Sequence, residues 1–321
     1  MALFLGGMIS GCAALKENLD YNRAVENFTR RNYDLSEGYL QSALRENPKD
    51  ERAISLLGWI RFKAGRMGEA EELFAEAEKL APEKPGTMEG LGWIYYGQGL
   101  DGRAEEKFRK LGRYAQKHLQ SAYWRDYPSA DQKFIQSIDS NANYGLGLIA
   151  KRKGNWKDAG LYLGRAANQP NQFIDPEIIA AELANTLFES GGFNPAAVQY
   201  KKLLLRNPPN PAFLNRYAWC LYQTGDFGGA QKSFQAAQKI NSPVAKYYLT
   251  VSPGQGVTGK LHAKRIAEAY YGLALLYARE KQFEAAREQL AIALKISPFF
   301  HHADEIAALL QEHPEWPDPL K

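Results

Sequence analysis

Cysteine is almost missing from this chain of 321 residues: only Cys12 and Cys220 occur, which excludes a disulfide framework and any four-cysteine metal site. Histidine is scarce as well, with five residues (His118, His262, His301, His302, His313), and neither HExxH nor GxSxG is present. His301 and Glu305 stand four apart, but two donors without a third read as a solvated helix start rather than a metal site. No block of five like charges occurs, and 40 Lys and Arg against 36 Asp and Glu leave a net charge of +4, so nucleic acid is not implied. With no catalytic constellation in view, the chain is expected not to be an enzyme and to need no metal or cofactor.

One stretch imitates a nucleotide site. VSPGQGVTGKLH (251–262) places Gly254 and Gly259-Lys260 at the GxxxxGK spacing, after an apparent strand YYLTV (247–251). Leu261 stands where Ser or Thr would hold Mg²⁺, and the neighbouring patterns are helical, so no sheet is available to the strand. The match is accidental, and no nucleotide is expected. The pattern GKLHAKRIAEAYYGLALLYARE predicts instead a long helix starting near Lys260.

What the chain has in abundance is self-similarity. Seven 34-residue units begin at Glu17, Glu51, Pro85, Ser140, Glu177, Pro211 and Ala267. Position eight never exceeds a methyl group (Ala24, Gly58, Gly92, Gly147, Ala184, Ala218, Ala274), and position twenty is Ser36 or Ala (Ala70, Ala104, Ala159, Ala196, Ala230, Ala286). Position twenty-four is large and apolar: Leu40, Phe74, Phe108, Leu163, Tyr200, Phe234, Leu290. Two helices must therefore cross closely within each unit, with the large side chain filling the space beside the contact. Prolines close several second helices, at Pro48, Pro82, Pro208 and Pro298.

These positions resemble the tetratricopeptide repeat (TPR) family. The resemblance implies an all-α fold, a right-handed α-solenoid of about seven helix pairs. Residues 17–118 would hold repeats one to three, 140–244 repeats four to six, and 267–300 repeat seven. The residues between, 119–139 and 245–266, are two inserts, and 301–321 supply a C-terminal capping helix (through Ile306, Leu309 and Leu310) and tail.

The N-terminal segment has its own resemblance. MALFLGGMISG is apolar and uncharged, too short to span a bilayer, and ends in Ile9-Ser10-Gly11-Cys12, which resembles the lipobox of bacterial lipoproteins. That implies a signal segment over 1–11, a lipidated Cys12 and a tether over 12–16. Ala13 after the cysteine points, by the same resemblance, to the periplasmic face of the outer membrane.

In the TPR family, positions two, five, nine, twelve and thirteen of each first helix line a concave face. Here they supply Trp59, Trp93 and Trp219 at nine, Phe28, Phe62, Tyr96, Phe188 and Tyr222 at twelve, and Tyr21, Tyr144 and Tyr271 at five. Asn185, Asn215, Asn141 and Gln223 lie among them, with Lys63, Lys151, Arg152 and Arg279 adding positive charge. The expected groove is Trp59, Trp93, Tyr96, Tyr144, Trp219, Tyr222, Tyr271, Asn185, Asn215 and Arg152, with Trp93 exposed enough to be truncated at little cost to the fold. The carboxylate clamp that some members use for C-terminal peptides is missing. The resemblances together imply a scaffold for protein subunits or peptide segments of a cell-envelope assembly or secretion machine. A second reading is a glycan-binding accessory of an exopolysaccharide export system, its rings stacking on sugars.

Overall fold

A computed structural model describes residues 19–206, 210–250 and 257–297, and every regular element among them is helical. The chain divides into two compact units, Met1–Ile179 and Ala180–Lys321. Unit 1 contains α1 (19–29), α2 (Tyr33–Glu46), α3 (Glu51–Lys63), α4 (Met67–Leu80), α5 (Pro85–Gly97), α6 (Asp101–Leu119), α7 (Ser129–Arg152) and α8 (Trp156–Ala167). The boundary falls within α9 (Pro176–Glu189), and unit 2 continues with α10 (Phe193–Arg206), α11 (Pro211–Gln223), α12 (Phe227–Thr250), α13 (Val257–Arg279) and α14 (Phe283–Ile296). Within the units α3 packs on α4, α5 on α6, α7 on α8, α11 on α12 and α13 on α14, and successive first helices touch, α3 to α5, α5 to α7 and α11 to α13. Each unit is a stack of helix pairs in the register read from the sequence. Cys12, the 301–321 tail and residues 251–256 lie outside the described residues.

The turn inside each pair is the same in all seven. Position fifteen has a left-handed backbone, at Gly65 (φ 75°), Gly99 (75°), Gly154 (72°), Gly191 (78°) and Gly225 (87°). The next residue's N–H closes on the carbonyl five positions back, Arg66 on Arg61 and Leu100 on Tyr95, both at 2.9 Å. This is the Schellman close of a helix, which glycine enters without a Cβ clash. The first and last pairs make the same turn with Arg31 (64°) and Lys281 (59°).

The close crossing is glycine against a ring. Phe74 and Phe108 are completely buried. A Cβ on Gly58 would lie 2.9 Å from the Phe74 ring, and one on Gly92 3.0 Å from the Phe108 ring. The following pair approaches from the other side. A Cβ on Gly145 would come within 2.6 Å of the Phe108 ring, and the corresponding positions Gly90 and Gly272 are tighter still against Phe74 and Phe234. Phe74 and Phe108 are thus each held between position eight of their own repeat and position six of the next, and Phe234 meets position six of the next in the same way, a contact the sequence reading passed over.

The two inserts are largely helix. The first lengthens α6 to Leu119, makes one 3₁₀ turn over Trp124–Asp126, and then becomes the start of the 24-residue α7. His118 Nδ1 lies 3.3 Å from the Tyr127 hydroxyl, and Gln132 donates to the carbonyls of Trp124 and Tyr127, so the connection is stitched down. In the second, residues 247–250, the greater part of the apparent strand YYLTV, are the last turn of α12, which corrects the strand reading. The 23-residue α13 begins at Val257, close to the start expected near Lys260.

The ring contact has a measurable consequence. Gly145→Ala should lower the melting temperature even though alanine improves helix propensity by about 1 kcal/mol, because overpacking a ring already pinned by Gly92 costs about 1–3 kcal/mol. Gly164→Ala in α8, where nothing lies within 4 Å of the added methyl, should raise it. Thermal unfolding of the two variants checks the pair.

Candidate functional site: the first-helix faces

In unit 1 the first helices α3, α5 and α7 bring one polar group into an aromatic wall. Glu89 Oε1 accepts from the Asn141 amide at 2.8 Å and from the Trp93 indole N–H at 3.3 Å. Asn141 is itself held, since Asn171 in the α8–α9 connection donates to its Oδ1 at 2.6 Å. Burial pushes the Glu89 carboxyl up to about 7, against the two hydrogen bonds and the charge of Lys63. Farther along, the Arg152 guanidinium lies 3.6 Å over the Tyr96 ring, donates to the Tyr96 carbonyl at 3.0 Å and pairs with Asp101 at 3.3 Å. Its charge is spent within the wall, which makes it a clip between repeats three and four.

The three tryptophans occupy one repeated setting. Trp59, Trp93 and Trp219 sit edge-on to Phe74, Phe108 and Phe234 at 5.4, 4.8 and 5.1 Å, and edge-on to Phe62, Tyr96 and Tyr222 at 5.4, 6.1 and 5.7 Å. The indole at position nine therefore covers the ring at position twenty-four of its own repeat. Where position twenty-four is Leu40, Leu163 or Leu290, position nine is Val25, Leu148 or Leu275. In the fifth repeat the same contact becomes a hydrogen bond, from the Tyr200 hydroxyl to Asn185 Oδ1 at 2.7 Å.

This corrects the expected groove at several positions. Tyr271 (2% exposed), Trp219 (9%), Tyr144 (9%) and Asn215 (1%) are core residues. Tyr144 packs against Trp93 at 5.9 Å, and Tyr271 against Trp219 at 5.8 Å. Asn215 donates to the Arg265 carbonyl at 2.7 Å, tying α11 to α13, and Asn185 is turned to its own second helix. Trp59 and Trp93 are half-buried, so Trp93 is not the dispensable exposed ring expected of it, and Tyr96, Tyr222 and Arg152 keep solvent contact. Cys220 is a small buried residue, and burial pushes its thiol up to about 12.

Unit 2 has a cavity of about 710 Å³ on the face of α9, α11 and α13. Trp219, Tyr222, Tyr271, Phe188 and Leu275 give it an apolar floor, and Arg216, Glu189, Lys264 and Glu268 stand around it. Arg216 pairs with Glu189 at 3.0 Å and lies 4.5 Å over Phe188. Lys264 reaches this rim because α13 starts ten residues ahead of its repeat register. Arg216 and Lys264 occupy positions outside the family's usual lining set, which is why the sequence reading did not select them.

Comparison with family models matches the tetratricopeptide repeat over 21–85, 182–245 and 267–300, about half of the chain. The chain belongs to the tetratricopeptide repeat family. Comparison with curated proteins finds no match. Among solved structures this TPR chain is similar to pilF of Pseudomonas aeruginosa (15% identity, TM-score 0.55, covering 71% of this chain and 93% of that one). It is also similar to PilW, described as a widely conserved type IV pilus biogenesis factor (20% identity, TM-score 0.53, 71% and 94%). A third is the C-terminal part of a TPR repeat-containing protein from Cytophaga hutchinsonii (15% identity, TM-score 0.54, 90% and 99%). At these identities the likeness is one of fold. Among the described residues no group of three or more His, Cys, Asp or Glu side chains is placed to hold a metal, and no helix is long and apolar enough to cross a membrane.

Two expectations come from this geometry. Trp93→Ala should destabilise by about 2–4 kcal/mol in denaturant unfolding, because it uncovers Phe108 and abandons the Glu89 bond. For Glu89, the folded pKa near 7 lies above the ordinary 4.5, so the fold prefers the protonated acid. Its contribution is fully present below about pH 4.5 and is lost as the pH rises through about 7. Glu89→Gln, which keeps the acceptor without the charge, should be the more stable protein at pH 8 and should flatten the stability-against-pH curve across that window.

Proposed function

We propose that the protein is a non-catalytic scaffold that holds an extended segment of a protein partner against its first-helix faces. The observation that carries this reading is the unit 2 cavity: its aromatic floor takes an apolar side chain, while Arg216, Glu189, Lys264 and Glu268 offer both charge signs to the polar groups around it. A rim of mixed sign does not make a track for a polyanion. The polysaccharide alternative needs free ring faces for sugars, and each of the three indoles spends part of its surface covering a buried phenylalanine.

We further propose, from the lipobox-like Ile9-Ser10-Gly11-Cys12, that Cys12 carries the lipid anchor and that the scaffold works at the periplasmic face of the outer membrane. A partner there is a subunit of an envelope assembly or secretion machine. Four residues, Ala13 to Lys16, then separate the anchor from the first repeat, a reach of about 15 Å.

The two parts are tested separately. A photo-crosslinking side chain at Tyr222 should give a discrete polypeptide adduct in cells, absent when the probe sits at the exposed Leu205 of α10 and weakened by Lys264→Glu. Equal adducts from both sites would remove the cavity from the proposal. Cys12→Ala, expressed from its native start, should leave the membrane fraction, and persistence with the outer membrane would end the anchoring proposal alone.

A further inference from the structure

Helix α7 carries two polar stripes. Asn141, Tyr144 and Arg152 belong to the first-helix face, whereas Asp139, Ala142, Asn143 and Leu146 fall about half a turn away at 3.6 residues per turn. The second stripe is the floor of a separate cavity of about 680 Å³, walled by α6 through Arg109, Gly112, Arg113 and Gln116, and by α8 and its C-terminal end through Tyr162, Arg165, Asn168 and Gln169. Its floor is low because the crossing residues are small: a Cβ on Gly112 would lie 3.6 Å from the Ala142 methyl.

Three guanidinium groups open onto this cavity, and they are not equally committed. Arg109 is bound to Glu105 at 2.7 Å, and Lys153 shares that carboxylate at 2.7 Å. Arg113 and Arg165 are exposed and make no ion pair among the described residues. The one acid inside, Asp139, is 4% exposed and accepts from Gln116 at 2.8 Å. Burial pushes its carboxyl up, against that hydrogen bond and the charge of Arg165. The side-chain amides of Asn168 and Gln169 have no partner among the described residues and add neutral donors at the rim.

We propose that this cavity is a binding site for a small phosphorylated solute, with Arg113 and Arg165 gripping the phosphoryl group from opposite walls. Two uncommitted forks facing one space call for a ligand that satisfies both. A phosphoryl group brings about 1.5–2 negative charges and three acceptor oxygens at neutral pH, whereas one carboxylate saturates a single fork. The site lies on the other side of α7 from the proposed partner face, so it stands whether or not that reading does.

Calorimetric titration of the full chain with inorganic phosphate and with glycerol 3-phosphate tests this. Saturable binding of either is expected, weakened at least tenfold by Arg113→Gln and by Arg165→Gln and unchanged by Arg152→Gln on the opposite face. Tighter binding of the ester than of inorganic phosphate identifies an organic phosphate as the source, and the reverse order identifies the free ion. The proposal is overturned if neither ligand binds, if Arg152→Gln weakens binding as much as the other two, or if malonate binds as tightly as the phosphates. Both key arginines are exposed, and circular dichroism of the variants verifies that a lost signal is not a lost fold.

Discussion

The whole arrangement depends on a ring that has no room to move. Phe74 and Phe108 each lie between two glycine-faced helices, one from the same pair and one from the next, so a single side chain sets both the spacing within a pair and the spacing between pairs. A packed interior transmits such a constraint because it cannot be compressed to accommodate even one methyl group. The indole at position nine then packs edge-on against that ring. Stack, crossing and aromatic face meet in this contact at Phe74 and Phe108.

Much of this was legible because it recurs. Positions eight, twenty and twenty-four stand out in the sequence since every repeat needs the same small-against-large crossing, and the long α13 followed from the unbroken pattern after Lys260. The aromatic face was harder. A stripe of rings at helical spacing looks the same whether it faces a ligand or a neighbouring helix. The distinguishing signal was present but lay between positions: Trp59, Trp93 and Trp219 occur only where position twenty-four is Phe, and Asn185 only where it is Tyr. The polar anchor was legible only in part. Asn141 stood on the lining face, where it meets Glu89 across α5 and α7, but Asn171 reaches it through the α8–α9 connection, whose path no repeat register specifies.

The inserts have a similar lesson. Extra residues between repeats suggest loops, yet here they extend α6, α7, α12 and α13. A helix continued past its register carries side chains to places the repeat alone does not reach, and Lys264 on the rim of the unit 2 cavity is one of them. In unit 1 the same helix, α7, serves an aromatic wall on one side and an arginine-lined hollow on the other.

The left-handed turns at Arg31 and Lys281 have a thermodynamic meaning of their own. Five turns use glycine, while the first and last pairs hold a side chain in a backbone region that costs about 1–2 kcal/mol outside glycine. In a repeat chain, stability is a sum of intrinsic and nearest-neighbour terms, so a local backbone penalty weighs on its own pair first. The pairs closed by Arg31 and Lys281 should therefore open ahead of those closed by glycine, with amide protons of α1, α2 and α14 exchanging before those around Phe108.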